Sequence, residues 1–486
     1  MSENLDHLKR NHLLDLLFAG RFGIEIEEHR VQLGQPRLSQ HPHSRQLGTR
    51  KTNPYFQTDF SESQEELVTA PKHASKDALA HLHELQTILS NELSEDEIIW
   101  PLSMPPHLNE DDIDFLLTHF ERPWYQEYRE ELIARYGYYQ HIMTGVHVNY
   151  SPADNLIDWF GSQHHIQSYP AAKNRLYFQI AQQVTGYRWL LTYLFGASPV
   201  TENSADNLPN NRLDIQPVRS WRASDFGFAN RPEILVDYSD FETHIRQIRQ
   251  YIANGDFYDK SEFYGPVRLK GPGEIEDLIQ NGANYMEFRM FDTDPFSLDG
   301  ISQTALSFLH LLIIDAIVNP QPWPKHTAEG ARAFNHVVAL AHPDEPLSST
   351  ATQHTHNLLT RLAEIVAVSP ADLRDDFNQA LDYAKTALDD PKQTIGAHLA
   401  SFIKNDSLTT YAVTRGQAIL KTRQQAKDNF VFVPKNLQKT YIQAHKLGFK
   451  TLMREDNHLQ VTYGDKVWAF MSDEDLTQYL PNHVEK

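Results

Sequence analysis

A chain of 486 residues has room for two or three domains, or for one large catalytic unit with a sizeable core. Its 64 acidic side chains outnumber 44 Lys and Arg, and the net charge of −20 disfavours non-specific binding to nucleic acid or an anionic membrane, both of which need a basic footprint. There is no cysteine, so disulfides, thiolate metal sites and cysteine nucleophiles are excluded.

The first ten residues carry Glu3, Asp6, Lys9 and Arg10 without an apolar core, which is not the pattern of a signal peptide. Leu5, Leu8, Leu13, Leu16 and Leu17 mark one face of an opening helix that stops at Gly20. Phe22 to Val31 follows as a strand. Read with period two, Ile24 and Ile26 take one face and Glu25 and Glu27 the other, the two carboxylates about 6.7 Å apart at the usual strand rise. Such a face is stable either at a solvated sheet edge or opposite a cation or a water-filled cleft. This stretch alone leaves both open. Residues 32–54 read as an irregular loop. Thr58 to Thr69 forms a second acid cluster with Asp59, Glu62, Glu65 and Glu66. A helix is expected over 72–91, a proline-bounded loop at Trp100 to Pro105, and helical patterns over roughly 110–136, ending at Gly137.

Gly145 to Ser151 alternates again, with Val146, Val148 and Tyr150 on one face and His147, Asn149 and Ser151 on the other. Residues 171–195 read as one long apolar helix, 201–235 as loop, 240–253 as helix, and Tyr264 to Lys270 as a short strand. Asn284 to Asp292 is another alternating strand, placing Glu287 and Arg289 opposite Met286, Phe288 and Met290. From about 302 to 430 the chain is almost all helical. The longest apolar run, Leu309 to Val318, is broken by His310 and Asp315 and is too short to span a bilayer, so a cytoplasmic location is expected. From 431 the character changes to one helix and three short strands. Residues 1–430 are therefore expected to form a catalytic domain and 431–486 a small α/β tail. Most histidines, including His41, His43, His164 and His165, are expected at the surface.

Three strands thus present polar pairs two residues apart, Glu25/Glu27, His147/Asn149 and Glu287/Arg289, and Asp59 with Glu66 adds a fourth acidic segment. Carboxylates with at most one imidazole are hard ligands, suited to Mg²⁺ or Mn²⁺ rather than Zn²⁺ or Cu²⁺. Five carboxylates exceed what one Mg²⁺ takes, whereas several ions around a polyphosphate would use them all. Arg289 beside Glu287 suits a transferring phosphoryl group. No Gly-x-x-x-x-Gly-Lys-Ser/Thr loop occurs, so a nucleotide would be held through metal ions on a carboxylate-lined sheet. Taken singly, each pair reads as an exposed antiparallel face or a satisfied core polar group. Their recurrence is what points to a site.

Seven segments resemble bacterial glutamate–cysteine ligase: Gly23-Ile-Glu-Ile-Glu-Glu-His-Arg-Val31; Thr58-Asp59-Phe60 with Glu66; Trp100-Pro-Leu-Ser-Met-Pro105; Met143-Thr-Gly-Val-His-Val-Asn-Tyr-Ser151; Tyr193-Leu-Phe-Gly-Ala-Ser-Pro199; Ser224-Asp-Phe-Gly227; and Tyr285 to Phe296. They fall in the family's order and cover roughly residues 10–430. The resemblance implies an α+β fold, with a mostly antiparallel, saddle-like sheet of the glutamine-synthetase type packed with many helices. It implies ATP-dependent joining of the L-glutamate γ-carboxylate to the L-cysteine amine through γ-glutamyl phosphate. By position, Glu25, Glu27, Asp59, Glu66, His147 and Glu287 would share Mg²⁺, with Mn²⁺ as a substitute. Arg289, beside Glu287, would hold the transferring phosphoryl group. Arg222 and Asn149 would help place glutamate, and Tyr128, Tyr264 and Arg268 match positions near the substrates.

Two departures bear on this. Phe228 stands where several relatives have a tyrosine that contacts the cysteine substrate, which keeps a different amine acceptor open as the rival reading. A non-catalytic, nucleotide-binding relative is a second rival. Glu65-Glu66 replaces a more apolar segment, and register favours Glu66 as the ligand. The tail, Leu437 to Val461 with Ala444 to Asp456, resembles the β-α-β entry to the glutathione-synthetase half of bifunctional fusions. The chain stops before an ATP-grasp core, so the dipeptide rather than glutathione is the expected product; a simple capping subdomain is the alternative for the tail.

Overall fold

The computed structural model describes residues 3–119, 123–202, 215–426, 430, 432–454 and 456–479. The strands are β1 (Gly20–Gln32), β2 (Arg37–Leu38), β3 (Phe56–Thr58), β4 (Gln64–Val68), β5 (Glu97–Ile99), β6 (Val146–Pro152), β7 (Val267–Lys270) and β8 (Tyr285–Phe291). These eight form one sheet in the order β3-β4-β1-β6-β8-β7, with β2 and β5 pairing to the far end of β1. Every pairing is antiparallel. β1 lies between β4 and β6, so its acidic face is in mid-sheet and not at an edge.

Alternation gives the sheet two unlike faces. Phe22, Ile24 and Ile26 of β1, Val146 and Val148 of β6, Met286 and Phe288 of β8, and Val267 and Leu269 of β7 all belong to one buried core. Helices Ser75–Ser90, Tyr169–Gly186 and Gln303–Val318 pack into the same core. The last is buried along nearly its whole length, which explains why its sequence lacks a polar face. Each fully buried aliphatic side chain here contributes roughly 1.5–3 kcal/mol, so the apolar face anchors the sheet while the polar face is free for chemistry.

Two expected helices are broken. The opening one divides into Glu3–Arg10 and Asp15–Phe18, with His12 between them at φ 57°, a left-handed conformation no helix accommodates. The long one divides into Tyr169–Gly186 and Arg188–Phe195, where Tyr187 leaves helical geometry at φ −99°, ψ 9°. Gly186 has low helix propensity, and a Cβ there would meet Trp323 at 3.2 Å.

Beyond residue 431, helix Gln438–Lys446 is followed by β9 (Lys450–Met453), β10 (Leu459–Tyr463) and β11 (Lys466–Phe470), a separate antiparallel sheet with β10 in the middle. This segment is tied to the main body by Tyr441 bonding Glu84 at 2.5 Å and by Asn53 bonding the His445 carbonyl at 3.0 Å. Among the described residues, no helix is long and apolar enough to cross a membrane.

Candidate active site

On the polar face of the sheet, strand pairing brings the acids together. Glu27 stands opposite Glu66, Glu25 opposite His147, and Arg268 opposite Glu287. They line a cleft of about 280 Å³ with Asp59 and Phe60 from the β3–β4 turn, Tyr128 and Arg129 from helix Pro123–Tyr136, and Phe228, Tyr264, Lys270 and Arg289.

Between β6 and β8 the register shifts: Val146 pairs with Phe291 but Val148 with Phe288, so Arg289 and Met290 together oppose His147. A bulge of this kind re-aims a side chain. Arg289 Nη1 comes to 3.2 Å from Glu287 Oε2 and 3.5 Å from His147 Nδ1, with its guanidinium 5.2 Å above the Phe228 ring centroid.

The charges divide the cleft. Burial drives the Glu27 carboxyl up to about 8, reinforced by the charge of Asp59. Burial likewise raises Asp59, and it raises Glu66 strongly, with Asp59, Glu25 and Glu27 adding repulsion. Glu287 is buried too, but Arg289, Lys270 and Arg268 overcome that penalty and hold it ionised, well below the usual carboxylate range. For Glu25, burial is outweighed by the interaction with His147, with Lys270 adding its charge, and it too is held low. Burial keeps His147 neutral, near 4. One wall is thus a neutral imidazole with two ionised carboxylates; the other holds three crowded acids short of counter-charge.

That donor set fits a hard divalent cation. One ligand atom from each of Glu25, His147 and Glu287 can be chosen so that all lie within 4.8 Å of one another. His147 Nε2 is buried without a hydrogen-bond partner among the described residues, 3.6 Å from Glu27 Oε1. A cation between them would satisfy both.

Of the residues to which the sequence reading gave a metal, catalytic or substrate role, Arg222 and Asn149 alone do not line the cleft. Arg222 sits behind it, donating to the Phe291 carbonyl at 3.1 Å, with Asp292 Oδ1 at 3.7 Å. Its guanidinium occupies the space over Gly145, where a Cβ would lie 2.0 Å from Nη2, and Gly145 N donates to Glu27 Oε2 at 3.1 Å. Asn149 donates to Glu25 Oε1 at 2.6 Å, so it orients that carboxylate. Glu65 points to the other face of the sheet, where, although burial opposes its charge, Arg50 and His43 hold it ionised at about 2. His43 is accordingly a partner of this buried acid at 3.2 Å, with a side chain only 7% exposed, and not the surface residue expected.

Two cations of the cleft were missed by the sequence reading, Lys270 and Arg129. Period-two reading of Val267-Arg-Leu-Lys270 would have found the first, since Arg268 and Lys270 alternate with buried Val267 and Leu269. Arg129 has no comparable signal, being one of two arginines on a helix rich in glutamate.

Comparison with known proteins decides the family. A model described as glutamate-cysteine ligase matches residues 5–260 and 256–337. The chain belongs to the glutamate–cysteine ligase family. Among its relatives, the glutathione biosynthesis bifunctional protein GshAB of Streptococcus thermophilus is 35% identical over 406 residues, which is 83% of this chain and 52% of that one. The protein of the same name from Listeria welshimeri is 31% identical over 481 residues, 95% of this chain and 60% of that one. The chain spans about half the length of the curated relatives it matches. Among solved structures, a bifunctional glutathione synthetase from Pasteurella multocida superposes with a TM-score of 0.86 at 26% identity, covering 97% of this chain and 62% of that one. A glutamate–cysteine ligase from Francisella tularensis, in complex with AMP, superposes with a TM-score of 0.74 at 22% identity, covering 88% and 92%. The α+β fold of antiparallel sheet and many helices is therefore the fold of this family.

Proposed function

We propose that this chain joins the γ-carboxylate of L-glutamate to the amine of L-cysteine, with ATP converted to ADP and phosphate. The observation that carries this reading is the divided cleft: five carboxylates and His147 on one sheet face, met by Arg268, Lys270, Arg289 and Arg129, in a chain of the glutamate–cysteine ligase family. Glu25, Glu27, Asp59, Glu66, His147 and Glu287 would hold Mg²⁺, with Mn²⁺ as the substitute. Divalent cations bound there neutralise the polyphosphate and the transferring phosphoryl group.

The protein's own groups position and stabilise. The bond between the γ-phosphorus of ATP and its bridging oxygen breaks as a glutamate γ-carboxylate oxygen attacks, releasing ADP and giving an acyl phosphate. Arg289, fixed by Glu287 and the bulge, faces the charge that develops on the phosphoryl oxygens. The acceptor amine then adds to the carbonyl carbon, and phosphate leaves as the amine loses a proton. Arg222 and Asn149 act one layer back, the first beside Glu27 and the second on Glu25, and help place glutamate. Tyr128, Tyr264 and Arg268 stand near the substrates. The activity is assigned to residues 1–430, with 431–486 as an appended tail, in a cytoplasmic protein.

A second reading is favoured by Phe228. Its ring packs 4.5 Å from Tyr264 and beneath Arg289, an apolar wall with no hydroxyl, where discrimination by a lost hydrogen bond is weakest. The acceptor would then be another small amine. ADP release measured with ATP, Mg²⁺ and L-glutamate, offering amine acceptors one at a time, tests both. Cysteine well ahead supports the ligase; another acceptor ahead keeps the acyl-phosphate chemistry and changes the product. No turnover from folded protein that binds ATP would sink both.

A further inference from the structure

β4 reads Gln64-Glu65-Glu66-Leu67-Val68 and pairs with β1 so that Glu66 meets Glu27 and Glu65 meets Glu28. Directly opposed carboxylates are unfavourable, and here two such pairs lie side by side. Adjacent residues of a strand point to opposite faces, so one of the two glutamates of β4 goes to the cleft and the other away from it. Residue type does not choose between them. A slip of one position would exchange them.

The surroundings do choose. On the far face, Glu65 Oε1 lies 2.6 Å from Arg50 Nη2, 2.8 Å from Arg30 Nε and 3.2 Å from His43 Nδ1, with Glu65 and Arg50 side chains fully buried. Arg30 belongs to β1, the strand that carries Glu25 and Glu27, and is itself held by Glu97 at 2.7 Å and by the Glu62 carbonyl at 2.8 Å. Arg50 also donates to the Thr58 hydroxyl and, at 3.3 Å, to the Glu62 carbonyl. Thr58 and Glu62 bracket the turn that presents Asp59. A single guanidinium therefore ties together Glu65 and both sides of the segment carrying the third crowded acid.

We propose that Arg50, with Arg30, is a positioning residue for the cleft: by drawing Glu65 to the far face it assigns Glu66 to the cleft. Neither arginine lines the cleft. The proposal rests on the reading of Glu66 as a metal ligand.

The test is Mn²⁺ binding to the full-length protein without nucleotide, followed by the electron-paramagnetic-resonance signal of free Mn²⁺, alongside melting temperature. Arg50→Lys keeps the charge but not the planar fork, and is expected to weaken Mn²⁺ binding about tenfold, the usual size of an effect exerted through a ligand's support. In a Glu66→Gln background it should add less than twofold, because it acts through Glu66. An Arg50→Lys protein that melts lower yet binds Mn²⁺ as the parent does would overturn the proposal, as would a full tenfold loss in the Glu66→Gln background. Glu65→Gln, judged by the same two comparisons, replaces Arg50→Lys if that variant does not fold. Unchanged Mn²⁺ binding by Glu66→Gln alone would remove the metal reading and the positioning role with it. Weakened binding by Glu66→Gln with no effect of Arg50→Lys would remove the positioning role alone.

Discussion

His81 Nε2 lies 3.0 Å from His445 Nε2, joining helix Ser75–Ser90 to helix Gln438–Lys446. The neighbours assign the protons. Ala70 N donates to His81 Nδ1 at 3.2 Å, so His81 carries its proton on Nε2 and donates it; His445 accepts on Nε2 and bonds the Tyr441 carbonyl through Nδ1 at 2.9 Å. Both rings are neutral. Burial holds His81 well below the ordinary value and His445 at about 4.

Folding of these histidines is linked to acid. The unfolded chain takes up protons near the ordinary imidazole value and the native one does not, so stability falls as pH drops through about 6.5 toward 4 and is level above that window. Each ring contributes at most about 1.4 kcal/mol per pH unit. The melting temperature of the parent should fall across this range. His445→Gln should melt lower at neutral pH but with a shallower acid slope; an equally steep slope would refute the assignment.

Glu27 should trade stability against activity. Glu27→Gln removes a buried acid crowded by Asp59 and keeps an oxygen for Gly145 N. The metal-free variant is expected to melt a few degrees higher near pH 8 while ADP release falls at least a thousandfold. Arg289→Ala should lose turnover to a similar extent. Activity surviving both substitutions would show the site to be elsewhere.

The same carboxyl sets a pH dependence for metal binding. Held at about 8, Glu27 is protonated at neutral pH and must lose that proton to serve as a ligand. Mn²⁺ affinity should rise with pH through about 8, with proton release on binding. Calorimetry in buffers of different ionisation enthalpy measures that release; Glu27→Gln should reduce it, leaving the protons released by Glu66 and Asp59.

Gly145→Ala places a methyl on the Arg222 guanidinium. Arg222 is buried and cannot retreat into solvent, so the arginine must shift. Glutamate KM is expected to rise 10-fold or more with little change in ATP KM. Equal rises in both would argue against a glutamate-placing role for Arg222.

Lys270 Nζ lies 3.4 Å from Glu287 Oε1 at the half-exposed rim of the cleft. Under the proposed ligase reading it would move onto a phosphate once cations take over Glu287. Lys270→Gln should raise ATP KM about 10-fold, and Lys270→Arg should restore most of it; a selective change in glutamate KM would contradict this.

Much of the cleft was legible because strands β1, β6 and β8 alternate strictly, so Glu25, Glu27, His147 and Glu287 declared their common face through Ile24, Val148 and Phe288. Three things were not. The bulge at Arg289–Met290 has no residue signature, since period two already puts Arg289 beside Glu287. The depth of Arg222 depends on the missing side chain of Gly145, a contact 77 positions away in sequence. The helix breaks at His12 and Tyr187 are backbone events that apolar spacing does not report. Whether Glu65 or Glu66 faces the cleft followed from register, but the reason, two arginines on distant segments, is tertiary.

The order of the strands along the chain has a consequence for how the protein is made. Glu25, Glu27, Asp59 and Glu66 leave the ribosome early, whereas Arg268, Lys270 and Arg289 come more than two hundred residues later. At about 5–20 residues per second the nascent sheet waits roughly 7–27 s with β6 as an open edge beside an acidic face that still lacks Arg268, Lys270 and Arg289. Like charge on neighbouring nascent chains keeps such half-built sheets from adding to one another edge to edge. The carboxylates read as metal ligands would thus serve first as gatekeepers against aggregation during synthesis.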